Sequence, residues 1–352
     1  MTKNKTIIAI VVIALIIIFV IYNRGNGKQF KIGVIAPLTA GATVYGENLV
    51  RGIELAKADL GVKGNDYELI IEDDGGNTAK SASAAQKLIN IDGVKAIITV
   101  TSGTGNAVQK IASQNNIPHI CDCVDTSIAT STGFIYSVLP QEESKAWLKE
   151  AQSRGIKTIY LVTQNHPGAN LIREEVVKNA ESFGIKIVGD VKVESGQKDF
   201  KTEVAKIKSV PADMYFTIVF PPTLDILAKE MKIEGVQKFS SVGLLAITSD
   251  LSLFEGQWYT DNYLADSSYQ SKFSKANPDL RFNVRTAPHG YDIFNMIVKG
   301  NESGNIIEYI KNLNEYSGKV GLAKKVNPNT FSLPLGIWEV REGKIIQIGK
   351  AE

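Results

Sequence analysis

The chain has few of the side chains on which catalysis, metal binding and disulfide scaffolds depend. Its 352 residues include two cysteines and three histidines, and the 39 basic residues nearly balance the 37 acidic ones. Two cysteines cannot form the disulfide framework of a small secreted domain, and a near-neutral charge does not indicate a nucleic-acid-binding surface. The sequence also contains no motif of zinc proteases, serine hydrolases or P-loop proteins. We therefore expect neither catalysis nor a bound cofactor.

The net charge of +2 is the sum of two unlike parts. Residues 1–31 contain five basic side chains and no acidic one, which leaves 34 basic and 37 acidic residues, a net charge of −3, in the rest of the chain. A chain of this length with 44% hydrophobic residues is too long for one compact core. We therefore predict a mildly acidic body of two globular lobes, which suits a small-molecule binder better than a nucleic-acid-binding protein.

A long apolar run near the amino terminus predicts a membrane helix. Residues 6–23 carry no charge and lie between Lys5 and Arg24. At about 1.5 Å per residue the run covers roughly 25 Å, close to the hydrocarbon thickness of a bilayer. A cleaved signal peptide is the alternative, but the run ends in the bulky residues Phe19 to Tyr22 rather than in small ones. We expect an uncleaved, single-pass anchor in the lipid bilayer of the cell membrane, with the amino terminus in the cytoplasm and the body outside.

Beyond a short polar linker, apolar runs of strand length alternate with segments of helical periodicity. The predicted strands are 31–36, 68–73, 96–101, 117–121, 158–163, 186–193 and 214–219. The predicted helices are 47–59, 78–91, 106–115, 142–154, 169–183, 200–209 and 223–234. This α/β order, with a break near residues 136–143, predicts two doubly wound lobes of parallel sheet. Because ligands bind beyond the carboxyl ends of such strands, we expect a binding cleft between the lobes.

Four segments resemble the branched-chain amino-acid binding proteins, the type I periplasmic binding fold that serves ABC importers. Their shared features include a Val-Tyr-Gly turn before a helix, paired aspartates after a strand, a Pro-Ala-Asp strand entry and a Tyr-Asp helix. The segments are Lys31–Ala56, Ile70–Ile120, Gly196–Phe216 and His289–Ile297. Their order and spacing agree with the family from about residue 30 to the end of the chain.

The resemblance implies a two-lobed Venus-flytrap protein with three hinge crossovers. Its first lobe would comprise residues 30–140 and about 262–315, and its second lobe residues 141–261 and about 316–352, after an anchor and linker at residues 1–29. It would bind a small organic ligand, an amino acid or a related amide or acid, and deliver it to ABC permease subunits. A ligand-sensing ectodomain that signals through a partner is the alternative, because one fold can serve both functions.

In the first lobe, the resemblance places a ligand carboxylate on Ser102 and an aromatic pocket wall at Tyr45. The turn that contains Ser102 also contains Thr101, Gly103 and Thr104. Hydroxyls there meet free N–H groups at the start of a predicted helix, where an anionic group is favoured. An ordinary helix cap and a surface tyrosine are the simpler interpretations of the same residues.

The next strand end is the run Cys123, Val124, Asp125 and Thr126, where the family presents a small residue and a threonine to the ligand. If Asp125 takes the place of the threonine, its carboxylate would repel an acidic ligand group and prefer an ammonium, amide or hydroxyl donor. An offset of one residue would restore Thr126 to that position.

The second lobe departs from amino-acid binders at two positions. The family grips the ligand ammonium with an acidic residue after the strand that follows helix 223–234, but residues 241–245 contain no acid. The usual Tyr-Gly pair is replaced by His166 and Pro167. We therefore infer a less polar organic ligand, contacted in the second lobe by some of four residues. These are Asn165, His166, Phe220 and Leu244.

One strand also carries a pattern that could bind a metal ion. His119, Cys121 and Cys123 alternate along it and could present one face to a soft metal. Buried thiols that act as small hydrophobic side chains are more common, and we expect no metal site. We also expect no disulfide, because two cysteines separated by one residue of a strand do not readily approach each other.

A dinucleotide-binding dehydrogenase is a third hypothesis. Gly103 and Gly105 lie in the spacing of a dinucleotide fingerprint, and Asp122 follows at a suitable distance to bind a ribose. The third glycine of the fingerprint is missing, and small residues are common at such turns. This pattern alone does not predict a nicotinamide cofactor.

Overall fold

The computed structural model describes residues 29–39, 42–236 and 238–351, which form two sheets with helices packed against them. The predicted membrane helix at residues 6–23 lies outside this part of the chain. Among the helices of the described ranges, none is both long and apolar enough to cross a bilayer. The predicted class of two α/β lobes is confirmed for the body of the protein.

The seven predicted strands and seven predicted helices each lie close to an element of the structure, whose described residues also form eight further strands and three further helices. The strands are β1 (Phe30–Ala36), β2 (Tyr67–Asp73), β3 (Ala96–Val100), β4 (His119–Asp122), β5 (Gly133–Ser137), β6 (Thr158–Gln164), β7 (Lys186–Val193), β8 (Met214–Ile218), β9 (Phe239–Val242), β10 (Trp258–Asn262), β11 (Glu315–Gly318), β12 (Gly321–Asn327), β13 (Thr330–Ser332), β14 (Leu335–Arg341) and β15 (Lys344–Lys350). The helices are α1 (Thr43–Asp59), α2 (Thr78–Lys87), α3 (Ser102–Gln114), α4 (Pro140–Ser153), α5 (Pro167–Asn179), α6 (Lys201–Ser209), α7 (Thr223–Ile233), α8 (Ser267–Ala276), α9 (Ala287–Glu302) and α10 (Ile306–Asn312).

The first sheet has the order β2-β1-β3-β4-β5-β13-β12-β11. Strands β2, β1, β3, β4, β5 and β13 run parallel to one another, and β12 and β11 extend the edge as antiparallel strands. Successive residues of β1 enter different cores: Val34 packs with α1 and α9, whereas Ile35 packs with α2 and α3. Because both faces are covered, the strand is apolar throughout instead of alternating with polar residues.

The second sheet has the order β7-β6-β8-β9-β10-β14-β15. The first five strands are parallel, and the β14–β15 hairpin closes the edge as antiparallel strands. One large core of this sheet includes Trp147 from α4, stacked between Phe216 and Trp258 with ring-centroid distances of 3.9 Å and 5.4 Å. Helix α4 is therefore fixed to the second sheet directly after the chain leaves the first.

The chain returns to the first sheet through α9, as the family resemblance implied. Helix α9 lies directly on α1, and two glycines allow the contact: a Cβ on Gly52 would lie 1.9 Å from the carbonyl oxygen of Ala287, and one on Gly290 would lie 2.2 Å from that of Leu49. The backbones of α1 and α9 therefore approach more closely than a side chain at Gly52 or Gly290 would permit. This packing places the segment just before α9 beside the first sheet.

The three crossings between the sheets lie near Leu139, after Asn262 and near Pro334. The expected boundaries nearest to the first two crossings are residues 140 and 262. The third comes later than the expected residue 316, because β11, β12 and β13 still belong to the first sheet. β11 and β12 lie at the edge of the sheet, most residues of β12 are at least partly exposed, and β13 has only three residues, so these strands carry little of the apolar signal that marks a buried strand.

Candidate functional site

In both sheets the direction of strand order reverses between two parallel neighbours, which are β1 and β3 in the first sheet and β6 and β8 in the second. At such a point the helices that follow the two strands lie on opposite faces, which leaves a crevice beyond the carboxyl ends of the strands. The turns at these ends contain several of the predicted site residues. A binding site is therefore expected at these crevices.

Ser102 is the first residue of α3 and connects two strand ends of the first sheet. Its hydroxyl oxygen accepts hydrogen bonds from the backbone N–H groups of Val124, at 3.3 Å, and Asp125, at 3.2 Å. A serine hydroxyl accepts two hydrogen bonds and donates one. No residue in the described ranges accepts the Ser102 proton, so this O–H group is free to donate to a bound molecule.

Thr101 precedes Ser102 in a left-handed conformation, with a φ angle of 74°. This conformation is strained for a β-branched residue, and it needs support from surrounding contacts. The Thr101 N–H donates to the Asp122 carbonyl at 3.2 Å, and the Thr104 hydroxyl donates to the buried Asp74 carboxylate at 2.5 Å. Gly103, between them, is exposed. The turn is thus held rigidly with Gly103 at the surface.

The Asp125 carboxylate is occupied within its own loop. It accepts from the Asn106 side-chain amide at 2.7 Å and from the Ser127 N–H at 3.0 Å. Partial burial raises the pKa of Asp125, but the hydrogen bonds from Asn106 and Ser127 outweigh burial and leave this pKa below its ordinary value. Val124 is partly buried and Thr126 is exposed. The acid therefore orders the loop through contacts already satisfied there.

Cys121 and Cys123 form a disulfide, so the expectation that they could not pair is wrong. Strand β4 ends at Asp122, and the bend that follows brings the two Cα atoms to 5.3 Å, within the usual range for disulfides. The ring of His119 instead contacts Thr99 at 2.7 Å and Gln109 at 2.6 Å. No group of three or more metal-binding side chains occurs in the part of the chain that the structure describes.

Tyr45 lies on α1 and is almost completely buried, with 6% of its surface exposed. This location differs from the surface position that was the simpler interpretation of the sequence. Burial raises the pKa of its hydroxyl, and Arg285, Asp261, Glu143 and Asp122 are the charged groups that act on it. The hydroxyl is therefore a neutral donor at the edge of a buried ionic cluster.

In the second sheet, His166 and Phe220 follow two neighbouring strands and lie side by side, with ring centroids 4.6 Å apart. The His166 Nδ1 atom accepts from the Gly168 N–H at 3.2 Å, which caps α5 and leaves the ring neutral; partial burial lowers its pKa. Asn165 is turned to Glu194, with Nδ2 3.2 Å from Oε2. Leu244 is buried in the second core. Of these four residues, His166 and Phe220 form a shared surface.

The strand ends of the two sheets meet. A Cβ on Gly168 would lie 4.0 Å from Cγ2 of Val124, so the turn after β6 faces the loop after β4. Phe220 packs against the cores of both sheets, and Ile247 from the turn after β9 belongs to the core of the first sheet. The structure thus brings the loop held by Ser102 close to the His166–Phe220 surface, across the junction of the sheets.

A buried ion-pair cluster lies at the same junction and was not predicted from the sequence. The Arg285 guanidinium bonds to the carboxylates of Glu143 and Asp261, with 3.0 Å between Nε and Oδ1 of Asp261. Beside it, Nδ1 of His289 lies 2.9 Å from Oδ1 of Asp122. The side chains of Glu143 and Asp261 are 0% exposed and that of Arg285 is 13% exposed.

The charges in this cluster are only partly balanced. Burial lowers the pKa of Arg285, but Glu143 and Asp261 outweigh burial and raise this pKa above its ordinary value. Burial raises the pKa of the Glu143 and Asp261 carboxyl groups, and the single guanidinium of Arg285, which lowers both, does not offset burial. A Cβ on Gly243 would lie 2.6 Å from Oδ2 of Asp261, so the turn after β9, which lacks an acid of its own, contacts an acid from β10. The sequence carries no pattern that links these residues, since Asp261 lies in the strand WYTDN, which lacks an apolar run.

Removing the central cation should destabilise the whole protein. We expect Arg285→Met to lower the free energy of unfolding by about 3–5 kcal/mol, because it leaves two buried carboxylates without a counterion. Urea denaturation of the full chain measures this change. The matched control is Arg341→Met, which breaks the exposed pair of Arg341 with Glu339 and should cost about 1 kcal/mol or less. Equal effects of the two substitutions would contradict the role of the cluster.

Comparison with known proteins agrees with this geometry. The sequence profile of the family described as periplasmic binding protein matches residues 29–303. The leucine-, isoleucine-, valine-, threonine- and alanine-binding protein of Pseudomonas aeruginosa is 25% identical over 329 residues, which cover 87% of this chain and 84% of that protein. Leu/Ile/Val-binding protein homolog 3 of Brucella melitensis is 26% identical over 223 residues, and the match spans only 59% of its length and 59% of this chain.

Two solved structures are similar in fold. A leucine-binding protein of Thermotoga maritima superposes with a TM-score of 0.81 at 18% identity and covers 92% of this chain and 98% of its own. A solute-binding protein of an ABC transporter from R. palustris, solved with benzoate, has a TM-score of 0.80 at 19% identity, and the match covers 92% of this chain and 96% of that protein. The profile match over most of the sequence, together with the two sheets joined at their strand ends, shows that this chain belongs to the type I periplasmic binding protein family, a family of non-enzymatic binding proteins that includes the Leu/Ile/Val-binding proteins.

Proposed function

We propose that this protein is the extracytoplasmic solute-binding component of an ABC importer and that it holds a small organic carboxylate or related amide between its two sheets. The observation that carries the proposal is the Ser102 hydroxyl, whose oxygen is fixed by two backbone donors while its proton has no acceptor in the described ranges. Family membership and the names of the relatives, which bind amino acids or benzoate, support the same class of ligand.

The surroundings of Ser102 favour a hydrogen-bond acceptor with negative charge. The hydroxyl lies at the amino terminus of α3, a helix of 13 residues whose first N–H groups lack intrahelical partners. Asp125, the nearest acid of the loop, is already bonded to Asn106 and Ser127 and does not need the ligand as a partner. A ligand carboxylate therefore fits the first sheet better than an ammonium does.

The other end of the ligand would meet apolar and aromatic surface. His166 and Phe220 face this junction from the second sheet, and Tyr45 closes it from α1. Glu143 and Asp261, the acids near the turn after β9, both bond to Arg285. The site therefore suits a carboxylate with an apolar or aromatic body, and an ammonium group is not required for its recognition.

Loss of the Ser102 hydroxyl should weaken binding without unfolding the protein. The full chain is screened by thermal shift with leucine, isoleucine, benzoate and 4-hydroxybenzoate, and the compound that stabilises it most is titrated. We expect Ser102→Ala to weaken affinity about tenfold or more, because a hydrogen bond to a charged group is lost. Tyr45→Phe, which keeps the buried ring, should weaken affinity less.

The matched control is Ser153→Ala, an exposed serine at the end of α4. It should leave both affinity and thermal stability as in the wild type. Wild-type affinity in Ser102→Ala and in Tyr45→Phe would show that the ligand binds elsewhere. All variants are titrated with the same compound, so that their affinities can be compared directly.

We further propose that residues 6–23 anchor the protein in the cell membrane, with the body on the outer side, where ABC permease subunits would receive the ligand. An uncharged apolar run of this length supports the proposal. The expected result is retention of the full chain in membranes after alkaline carbonate extraction, and release of the body by added protease. Deletion of residues 2–23 is the comparison. Extraction of the full chain by carbonate would contradict the anchor.

A further inference from the structure

A cavity of about 590 Å³ is lined by residues other than those of the Ser102 loop and the His166–Phe220 surface. It is bounded by β10 and β14, by the start of β15, by α8 and by the segment 280–284. Its lining contains none of the predicted site residues. The volume lies within the range of about 300–1,000 Å³ that is typical of small-molecule sites.

Most of the cavity wall is apolar. Its aromatic and aliphatic members come from four separate segments of the chain, so the cavity is not a gap beneath one loop. They are Ala246, Leu251, Leu264, Leu280, Phe282, Val284, Trp338, Ile345 and Ile346. Several of them belong to the core of the second sheet, and the cavity therefore has a preformed, rigid floor.

A tyrosine hydroxyl in the lining has no partner. Tyr259 is 0% exposed, and its hydroxyl forms no hydrogen bond with any residue that the structure describes. Burial raises the pKa of this hydroxyl far above its ordinary value, so it remains a proton donor. Buried hydroxyls are normally paired, so Tyr259 is an exception in the wall of the cavity.

The charged residues of the lining are both basic. Arg281 and Lys344 line the cavity, and no aspartate or glutamate does. Arg281 forms no salt bridge within the described ranges and donates only to the backbone oxygen of Thr248. Asp225, an acid close to Arg281, instead accepts hydrogen bonds from Thr248 and Ser249. The Thr248 hydroxyl, the Ser249 hydroxyl and the Ser249 N–H group, at 3.0 Å, are the donors. Arg281 therefore keeps donors free for another anion.

We propose that this cavity is a second ligand site, with a lining distinct from the Ser102 loop and the His166–Phe220 surface, and that it binds a small amphipathic anion. The anionic group, a carboxylate, would bond to Arg281, with Lys344 adding positive charge at the rim. Its apolar body would pack on Trp338 and Phe282. Two cations without an acid in the lining disfavour a cationic ligand.

Isothermal titration calorimetry of the full chain with 4-phenylbutyrate tests this proposal. The compound has an aromatic body and one carboxylate, and 4-phenylbutyramide is its uncharged counterpart. We expect the wild type to bind the acid at least about tenfold more tightly than the amide, because only the acid offers a charged acceptor. Equal affinity for the two compounds, or no binding of the acid, would overturn the proposal.

Variants locate the binding. Ser274 is an exposed residue of α8 that lines the cavity, and Ser274→Trp should abolish binding by filling the mouth. Ser271→Trp, an exposed position of the same helix outside the lining, is the matched control and should bind as the wild type does.

Arg281→Gln should weaken the affinity for 4-phenylbutyrate about tenfold and leave the affinity for 4-phenylbutyramide unchanged. Arg51→Gln on the surface of α1 should change neither affinity. Wild-type affinity of Ser274→Trp and Arg281→Gln would place 4-phenylbutyrate in another site and contradict the proposal. Circular dichroism of both tryptophan variants checks that loss of binding is not loss of folding.

Discussion

The contact of Arg285 with Glu143 and Asp261 is the constraint on which the arrangement of the two sheets depends. Glu143 lies just after the first crossing of the chain, Asp261 just before the second, and Arg285 in the segment that leads into α9. One guanidinium therefore joins three segments that are far apart in sequence. Buried ion pairs of this kind contribute little net stability but penalise any arrangement that separates them, because each lone charge would remain desolvated. The cluster thus selects one relative position of the sheets.

That position brings the functional turns together. The same junction holds Tyr45, whose hydroxyl lies among the charges of the cluster, and the turn after β9, which contacts Asp261 through Gly243. The Ser102 loop and the His166–Phe220 surface lie at the ends of strands that point to this junction. A site built from strand ends needs such a clamp, since neither sheet alone encloses a ligand.

Local patterns in the sequence predicted local structure well. The apolar runs of β1 and β3 and the periodicity of α1 identify those elements. A strand covered on both faces is apolar throughout, and a helix packed on one face repeats apolar residues about every 3.6 positions. Eight strands of the described ranges were not predicted, among them β11 to β13, which are short or largely exposed and lack that signal. The Cys121–Cys123 disulfide was also missed, because it depends on a bend after β4 that the residue pattern does not reveal. Arg285 and Glu143 are 142 residues apart, and no spacing rule connects them.

The central claim is that the body of this protein encloses one small organic molecule between its sheets. Mass spectrometry of the purified full chain, first under native and then under denaturing conditions, tests it most directly. We predict a native mass that exceeds the polypeptide by one carboxylate-containing compound, which is released on denaturation. A native mass equal to that of the polypeptide, together with no binding of any amino acid or aromatic acid offered in titrations, would contradict the account.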